Sequence, residues 1–157
     1  MSDASFRGDC ARCIGLCCVA LSFDRGPHFA ADKPAGEACP NLGADHRCAI
    51  HHRLRSEGYT GCIAYDCLGA GQLATAIFRG LSWRSSPSIA RQMFRAFALL
   101  RDIQQLRLAL RTLPANRRDP MLQVLEPPSG WTFATLLLDA PAAIAATRAK
   151  LKALGRR

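Results

Sequence analysis

The sequence predicts a mainly α-helical protein, with a cysteine-rich, loop-rich N-terminal half packed on a C-terminal helical bundle. All eight cysteines lie between residues 10 and 67, where glycine and proline interrupt any regular pattern. Beyond residue 86, apolar residues recur at the spacing of helices that bury one face. No convincing strand pair is present, so at most a small two-stranded element is expected near the cysteines.

The elements of the N-terminal half are expected to be short. The segment 25–43, RGPHFAADKPAGEACPNLG, has the proline and glycine content of a loop. A short helix is predicted over 49–57 and should stop at Gly58. A second helix, which tolerates glycine, is predicted over 68–79 and should stop at Gly80.

Longer helices are predicted in the C-terminal half. Ser86 or Ser88 is expected to cap a helix that begins near Pro87, because proline fits the first helical turn. This helix should end before Pro114, and it should either bend near residues 104–105 or meet different neighbours at its two ends. Shorter helices are predicted in 115–126, 130–138 and 141–154, separated by Pro127, Pro128 and Pro141.

The length of 157 residues suits one compact unit with two parts. Residues 1–85 form the expected cysteine-rich module, and residues 86–157 form the helical region. No run of 18 apolar residues is present, so no membrane span is expected. The start, MSDASFRGDC, lacks the apolar stretch of a signal peptide, which favours a cytoplasmic protein.

The net charge of +9 is unevenly distributed. Residues 1–67 hold seven Lys or Arg and eight Asp or Glu, whereas residues 68–157 hold fourteen and four. The two parts therefore carry −1 and +10. We expect any macromolecular partner to be acidic and to bind the basic helical region. An acidic protein is the expected partner. Nucleic acid should bind weakly and without sequence preference, because the arginines of the long helix form no continuous stripe.

The spacing of the cysteines is typical of a site for a soft metal ion. The first four follow the pattern C-x2-C-x3-C-C, in CARCIGLCC. Thiolates two or three residues apart can turn onto one ion, whereas a disulfide needs Cα atoms about 4.4–6.8 Å apart. A cytoplasmic location would also keep the thiols reduced, and an extracellular disulfide scaffold is the alternative. The candidate ligands are Cys10, Cys13, Cys17, Cys18, Cys39, Cys48, Cys62 and Cys67.

Eight thiols divide into two tetrahedral four-thiolate sites, and they would equally suit one polynuclear cluster with spare ligands. Cys17 and Cys18 are expected to serve two different ions, or one of them to bridge. His51 lies at ligand spacing from Cys48, whereas His28 and His46 are weaker candidates. The glycines that follow Cys67 predict a close approach of backbone to the metal site.

Three segments resemble the YkgJ-type family, which is described as a zinc- or iron-chelating domain. They are CARCIGLCC, CPNLGADHRCAIH and GCIAYDC, and the resemblance covers about residues 6–85. Family members share eight cysteines that open with a C-x2-C-x3-C-C cluster, so the resemblance implies that all eight cysteines here are metal ligands. It settles neither the metal nor any reaction.

GCIAYDCLGAGQ also resembles the N-terminal module of some pentapeptide-repeat proteins, although residues 86–157 contain no such repeat. A second departure lies before Cys62, where the family often has Arg-Pro and this chain has Tyr59-Thr60-Gly61.

These observations lead to a functional expectation with two alternatives. We expect thiolate-ligated zinc, with two structural sites that support partner interaction. An iron–sulfur or iron-binding protein that handles redox chemistry or metal is the first alternative, and a zinc-stabilised nucleic-acid binder is the second. No catalytic residue is assigned, since His51 and Asp66 are more often structural, and an enzyme is not indicated.

Overall fold

Helices dominate residues 6–155, the part of the chain that the computed structural model describes. Short 3₁₀ turns occur at Cys10–Arg12 and His51–Arg53. Residues 6–155 contain no β-strand, and only isolated antiparallel bridges, such as Phe23 with Lys33, stand where a two-stranded element was expected. The α-helices are α1 (Leu16–Ala20), α2 (Thr60–Ala64), α3 (Ala70–Ile77), α4 (Pro87–Leu110), α5 (Ala115–Leu125) and α6 (Phe133–Leu154).

The longest helix, α4, begins where the sequence predicts. The Ser86 hydroxyl accepts a hydrogen bond from the Ile89 N–H at 3.2 Å, and Pro87 occupies the first turn. The helix ends at Leu110, a few residues earlier than predicted. Its buried residues contact α1, α3, α5 and α6, which explains why its apolar positions drift around the cylinder. Gln104, near the expected bend, is fully buried.

Helix α6 corrects the prediction of two helices separated by Pro141. It is continuous from Phe133 to Leu154, with Pro141 inside it. A proline in a helix interior loses a hydrogen bond and costs about 3 kcal/mol. Here the buried face continues past it, through Leu136, Ala140 and Ile144, and packs mainly on α4. Burial of that face outweighs the local cost of the proline.

The main hydrophobic core joins both halves of the chain. Helices α3, α4 and α6 supply most of it, and Leu16 of α1 is fully buried within it. Helices α3 and α4 pack against each other in an antiparallel arrangement. The Gln104 amide late in α4 donates to the Leu68 carbonyl just before α3. Trp83, between α3 and α4, donates its indole N–H to the Ile14 carbonyl at 2.9 Å. The first cysteines are therefore attached directly to the helical bundle.

A second, smaller cluster supports the loops between α1 and α2. Its buried members are Ile50, Leu54 and Tyr59. The rings of Phe23 and Phe29 stack at 4.4 Å, and each meets the Tyr59 ring edge-on. The helix predicted over 49–57 does not form as a regular α-helix. A 3₁₀ turn at His51–Arg53 is seen there, and the segment ends at Gly58 as expected, with φ of 79°. Neither α1 nor α2 was predicted.

Among the described residues, no helix is long and apolar enough to cross a membrane.

Candidate metal centre

Helix α1 places two cysteines side by side at the centre of the N-terminal half. The Sγ atoms of Cys17 and Cys18 are 3.8 Å apart. The preceding Gly15 has φ of 71°, a left-handed conformation, and a Cβ there would lie 2.8 Å from a methyl of Leu42. Glycine is thus required where the chain turns into α1.

Three cysteines gather with Cys17 on the side that faces α3 and α4. Burial raises the pKa of the Cys10 thiol, and the charges of Cys17, Cys13 and Cys67 raise it further. Cys13, Cys17 and Cys67 also pack against the main hydrophobic core. We call Cys10, Cys13, Cys17 and Cys67 the core-side group.

The other cysteines gather on the side of the aromatic cluster. Burial raises the pKa of the Cys62 thiol to about 11, with smaller contributions from the charges of Cys39, Cys17 and Cys48. Cys18 joins them through the backbone, since its carbonyl accepts the N–H of Cys39 at 2.9 Å. We call Cys18, Cys39, Cys48 and Cys62 the loop-side group.

Cys17 stands between the two groups. Its charge raises the pKa of Cys10 in the core-side group and of Cys48 and Cys62 in the loop-side group. The Cys18 thiol beside it, and then burial, raise the pKa of Cys17 itself far above the ordinary value. Two thiols in contact cannot both ionise cheaply unless a cation lies near them.

The neighbourhood of the thiols is formed, but the distances of a closed metal site are not. In the described part of the chain, no three His, Cys, Asp or Glu side chains lie close enough to hold a metal ion. All eight cysteines are free thiols, so the alternative of a disulfide scaffold is not seen. The donor set itself fits a soft divalent ion, because a cation between these thiols would favour their thiolate forms, which burial and then neighbouring thiols disfavour.

The core-side group is held by residues of α3. A Cβ at Gly71 would lie 2.8 Å from the sulfur of Cys13 and 3.6 Å from that of Cys67, so backbone approaches the thiols as the sequence predicts. The Thr75 hydroxyl accepts the Ile14 N–H at 3.3 Å. Gln72 accepts the Asp9 N–H at 3.1 Å and donates to the Arg7 carbonyl at 2.9 Å. Gln72 and Thr75 therefore fix both ends of the Cys10–Cys13 turn.

The N–H groups that act on Cys13 are not those of the glycine segment after Cys67. Burial raises the pKa of Cys13, and the N–H groups of Leu16 and Gly15, together with the Thr75 hydroxyl, oppose the rise. These donors lie at the start of α1 or within α3. Hydrogen bonds to a sulfur favour its thiolate, which is the form that binds metal.

The histidines and Asp66 have other contacts. His28 Nδ1 is bonded to the Thr60 hydroxyl at 3.0 Å, and His46 Nε2 to the Ser82 hydroxyl at 3.4 Å. His51 lines a shallow surface cleft with Arg55 and other residues.

Asp66 fixes the backbone on both sides of Cys67. Its Oδ1 accepts the N–H of Gly8 at 3.0 Å and that of Leu68 at 2.7 Å. The carboxylate therefore holds backbone and is not paired with His51 for acid–base chemistry.

Several residues near the thiols could not be identified from the sequence. Lys33, Gln72, Thr75 and Gln104 are separated from their partners by as many as 65 residues along the chain. Only Gln104 could have been suspected from the sequence, because it is a polar residue among the apolar positions of the long helix. Arg47, which donates to the carbonyls of Cys10 and Ala11, gave no signal.

Comparison with known proteins adds one relative. A protein of Bacillus subtilis (strain 168), named uncharacterized protein YybG, is 44% identical over 99 residues. The match covers 62% of this chain, and the chain spans only 36% of the relative's length. No protein-family model matches the chain. No solved structure matches it.

Proposed function

We propose that this protein binds two metal ions through cysteine thiolates, with zinc as the preferred ion, and that the ions stabilise the N-terminal half. The observation that carries the proposal is the 3.8 Å contact of the Cys17 and Cys18 thiols in α1, between cysteines that pack on the main core and Cys48, which packs on the aromatic cluster. Each group offers the four thiolates of a tetrahedral site. The resemblance to the YkgJ-type family supports the same ligand set.

A structural role follows from how little the loops bury. Between α1 and α2 the buried hydrophobic residues are Ile50, Leu54 and Tyr59. Fixing one residue's backbone costs about 1–2 kcal/mol, so a cluster of this size does not order some forty residues. A structural zinc ion in a small peptide contributes about 10–16 kcal/mol of apparent binding free energy. A bound ion supplies a cross-link between distant segments, and the chain's thiolates hold it.

The proposal divides the ligands by site. The core-side group would hold one ion between the first turn, α1 and Cys67. The loop-side group would hold the other between α1, the long loop and α2. The charge of Cys17 raises the pKa of thiols in both groups, which also supports the alternative of a bridging thiolate in a single cluster.

Elemental analysis with an absorption spectrum of anaerobically purified protein tests the proposal. About two zinc ions per colourless chain, with all eight thiols protected from alkylation, are the expected result. Visible colour with iron would favour the iron–sulfur alternative. Protein that binds neither zinc nor iron, even after refolding with each metal, would refute metal binding altogether.

Removal of the metal tests the structural role separately. A strong chelator should make residues 1–70 sensitive to protease, while α4 and α6 keep most of their circular dichroism signal. Unchanged protease resistance of residues 1–70 in the verified metal-free protein would contradict a structural metal.

A role in partner binding is proposed for the basic helical region. Three arginines there form ion pairs within the chain: Arg107 with Glu126, Arg118 with Asp119, and Arg148 with Asp102. These pairs neutralise part of the positive charge of the region, which argues against tight nucleic-acid binding. Titration with DNA should show weak affinity that falls steeply with salt. Each phosphate contact should contribute about −0.9 to the slope of log affinity against log salt concentration.

A further inference from the structure

Lys33 is a buried lysine in the loop between Cys18 and Cys39. The residue is only 3% exposed. Its ammonium donates to the carbonyls of Val19 at 3.3 Å, Pro34 at 3.0 Å and Glu37 at 3.0 Å. All three ammonium protons thus have acceptors, and every acceptor is backbone.

These bonds satisfy the donors of Lys33 but not its charge. A buried ion is costly unless an opposite charge lies near it. Among the described residues, no carboxylate forms an ion pair with Lys33. Burial lowers the pKa of Lys33, and the negative charges that oppose this most are those of Cys39 and Cys18. The Glu37 carboxylate acts in the same direction, and metal ligation would add the ionised thiols of Cys18 and Cys39 as counter-charge.

The contacts of Lys33 also connect the two backbone segments that carry these thiols. Val19 follows Cys18 directly, and Glu37 lies two residues before Cys39. The Cys39 N–H bonds to the Cys18 carbonyl at 2.9 Å, and the backbone of Lys33 pairs with Phe23 in both directions. The Lys33 side chain and these backbone bonds together hold the Cys18 and Cys39 segments next to each other.

We infer that Lys33 is the resident counter-cation of the loop-side group, and that it positions Cys18 and Cys39 for a metal ion. This inference rests on the proposed metal binding. Four thiolates around one divalent ion leave two negative charges, and a buried ammonium bonded to the backbone next to Cys18 and Cys39 would offset one of them. The core-side group has no such lysine among the described residues, because Lys150 and Lys152 lie in α6.

Two neutral substitutions separate charge from hydrogen bonding. Lys33→Met removes both, whereas Lys33→Gln removes the charge and keeps an amide donor. Lys150→Met, at an exposed position of α6, is the control for loss of one positive charge. Zinc affinity is measured by competition with a chelator, and the affected site is identified by mass spectrometry of the cysteines that become alkylated.

Both Lys33 variants should bind the loop-side zinc about tenfold more weakly or worse, as outer residues of metal sites typically do when replaced. Loss of protection should be confined to Cys18, Cys39, Cys48 and Cys62. Core-side protection and the circular dichroism signal should match those of Lys150→Met, which shows that the variants fold.

Three results would overturn the inference. Wild-type affinity in Lys33→Gln but not in Lys33→Met would show that hydrogen bonding suffices and the charge is not needed. Unchanged affinity in both variants, with two zinc ions in the wild-type protein, would refute the inference alone. A wild-type protein without metal would refute the proposed function and the inference with it.

Discussion

The core-side and loop-side groups differ in the structure that lies behind them. Cys13, Cys17 and Cys67 pack against the main hydrophobic core, and α3 holds their turn through Gln72 and Thr75. In the loop-side group, Cys48 packs against a small aromatic cluster, and Cys62 lies in α2, which has only five residues. One group is attached to a large helical core, whereas the other belongs to loops with little core of their own.

This difference teaches how a metal would act in each place. At the core-side group, the segments that carry Cys13, Cys17 and Cys67 already pack on the main core, so an ion would add to a framework that exists. At the loop-side group, the ligands and Lys33 determine the course of the chain, so the ion is part of the framework. Local stability is lowest where few apolar contacts are buried, which places the loop-side segment among the first to open.

The two groups should differ most when one proposed ligand is removed from each of them. Cys39→Ser is expected to lose about one zinc ion and to speed proteolysis within residues 19–64 at least about tenfold, with little change in helical signal. Cys13→Ser should also lose one ion, but it should lower the melting temperature of the helices, because Cys13 packs against Gly71 of α3.

Metal content, protease mapping and thermal unfolding followed by circular dichroism check this pair. The matched control is Ser56→Ala, at an exposed serine that lies outside both groups. If both cysteine variants open the same segment to protease, the two groups form one cooperative cluster.

A smaller contrast is expected from adding one methyl group behind each site. Gly71→Ala would bring Cβ to 2.8 Å from the sulfur of Cys13, in a helix that cannot shift, and overpacking of this kind costs about 1–3 kcal/mol. Gly61→Ala would meet the ring of Phe29, which is partly exposed and can turn away. We expect it to cost less.

Urea unfolding of the metal-loaded variants measures both costs, and Gly26→Ala, where a Cβ meets nothing within 4 Å, is the control. A larger loss in Gly61→Ala than in Gly71→Ala would reverse the order of rigidity that we assign to the two groups.

The smallest effect concerns pH in the metal-free protein. The pKa of Cys62 rises from 9.0 to about 11 in the folded chain, so the folded state holds its proton more tightly than the unfolded state does. Its contribution to stability is therefore complete below about pH 9 and is lost as the pH rises toward 11. Because Cys62 is exposed, solvent screening keeps this contribution small.

Unfolding of metal-free protein between pH 8 and pH 11, compared with metal-free Cys62→Ser, measures this contribution as a difference in slope. The variant should lose less stability over that range. Equal slopes would indicate that the Cys62 thiol lies in an ordinary aqueous environment once the metal is absent.

Local signals in the sequence predicted much of the C-terminal half. The Ser86–Pro87 start of α4 depends on hydrogen bonds within one turn, so it could be predicted from neighbouring residues. Pro141 misled the prediction, because the burial that keeps α6 intact comes from α4, thirty or more residues away. Helix α2 was missed for a related reason: five residues carry almost no periodic pattern.

The sequence alone supplies eight thiols and places Cys10, Cys13 and Cys17 at spacings that suit a metal ion better than a local disulfide. It also determined the contrast of charge between the two parts. Tertiary structure alone decided which cysteines lie together, since Cys67 reaches Cys10 across 57 positions and Cys62 reaches Cys39 across 23. It also buried Lys33 beside Cys18 and Cys39, because the environment of a charge depends on segments that meet only after folding.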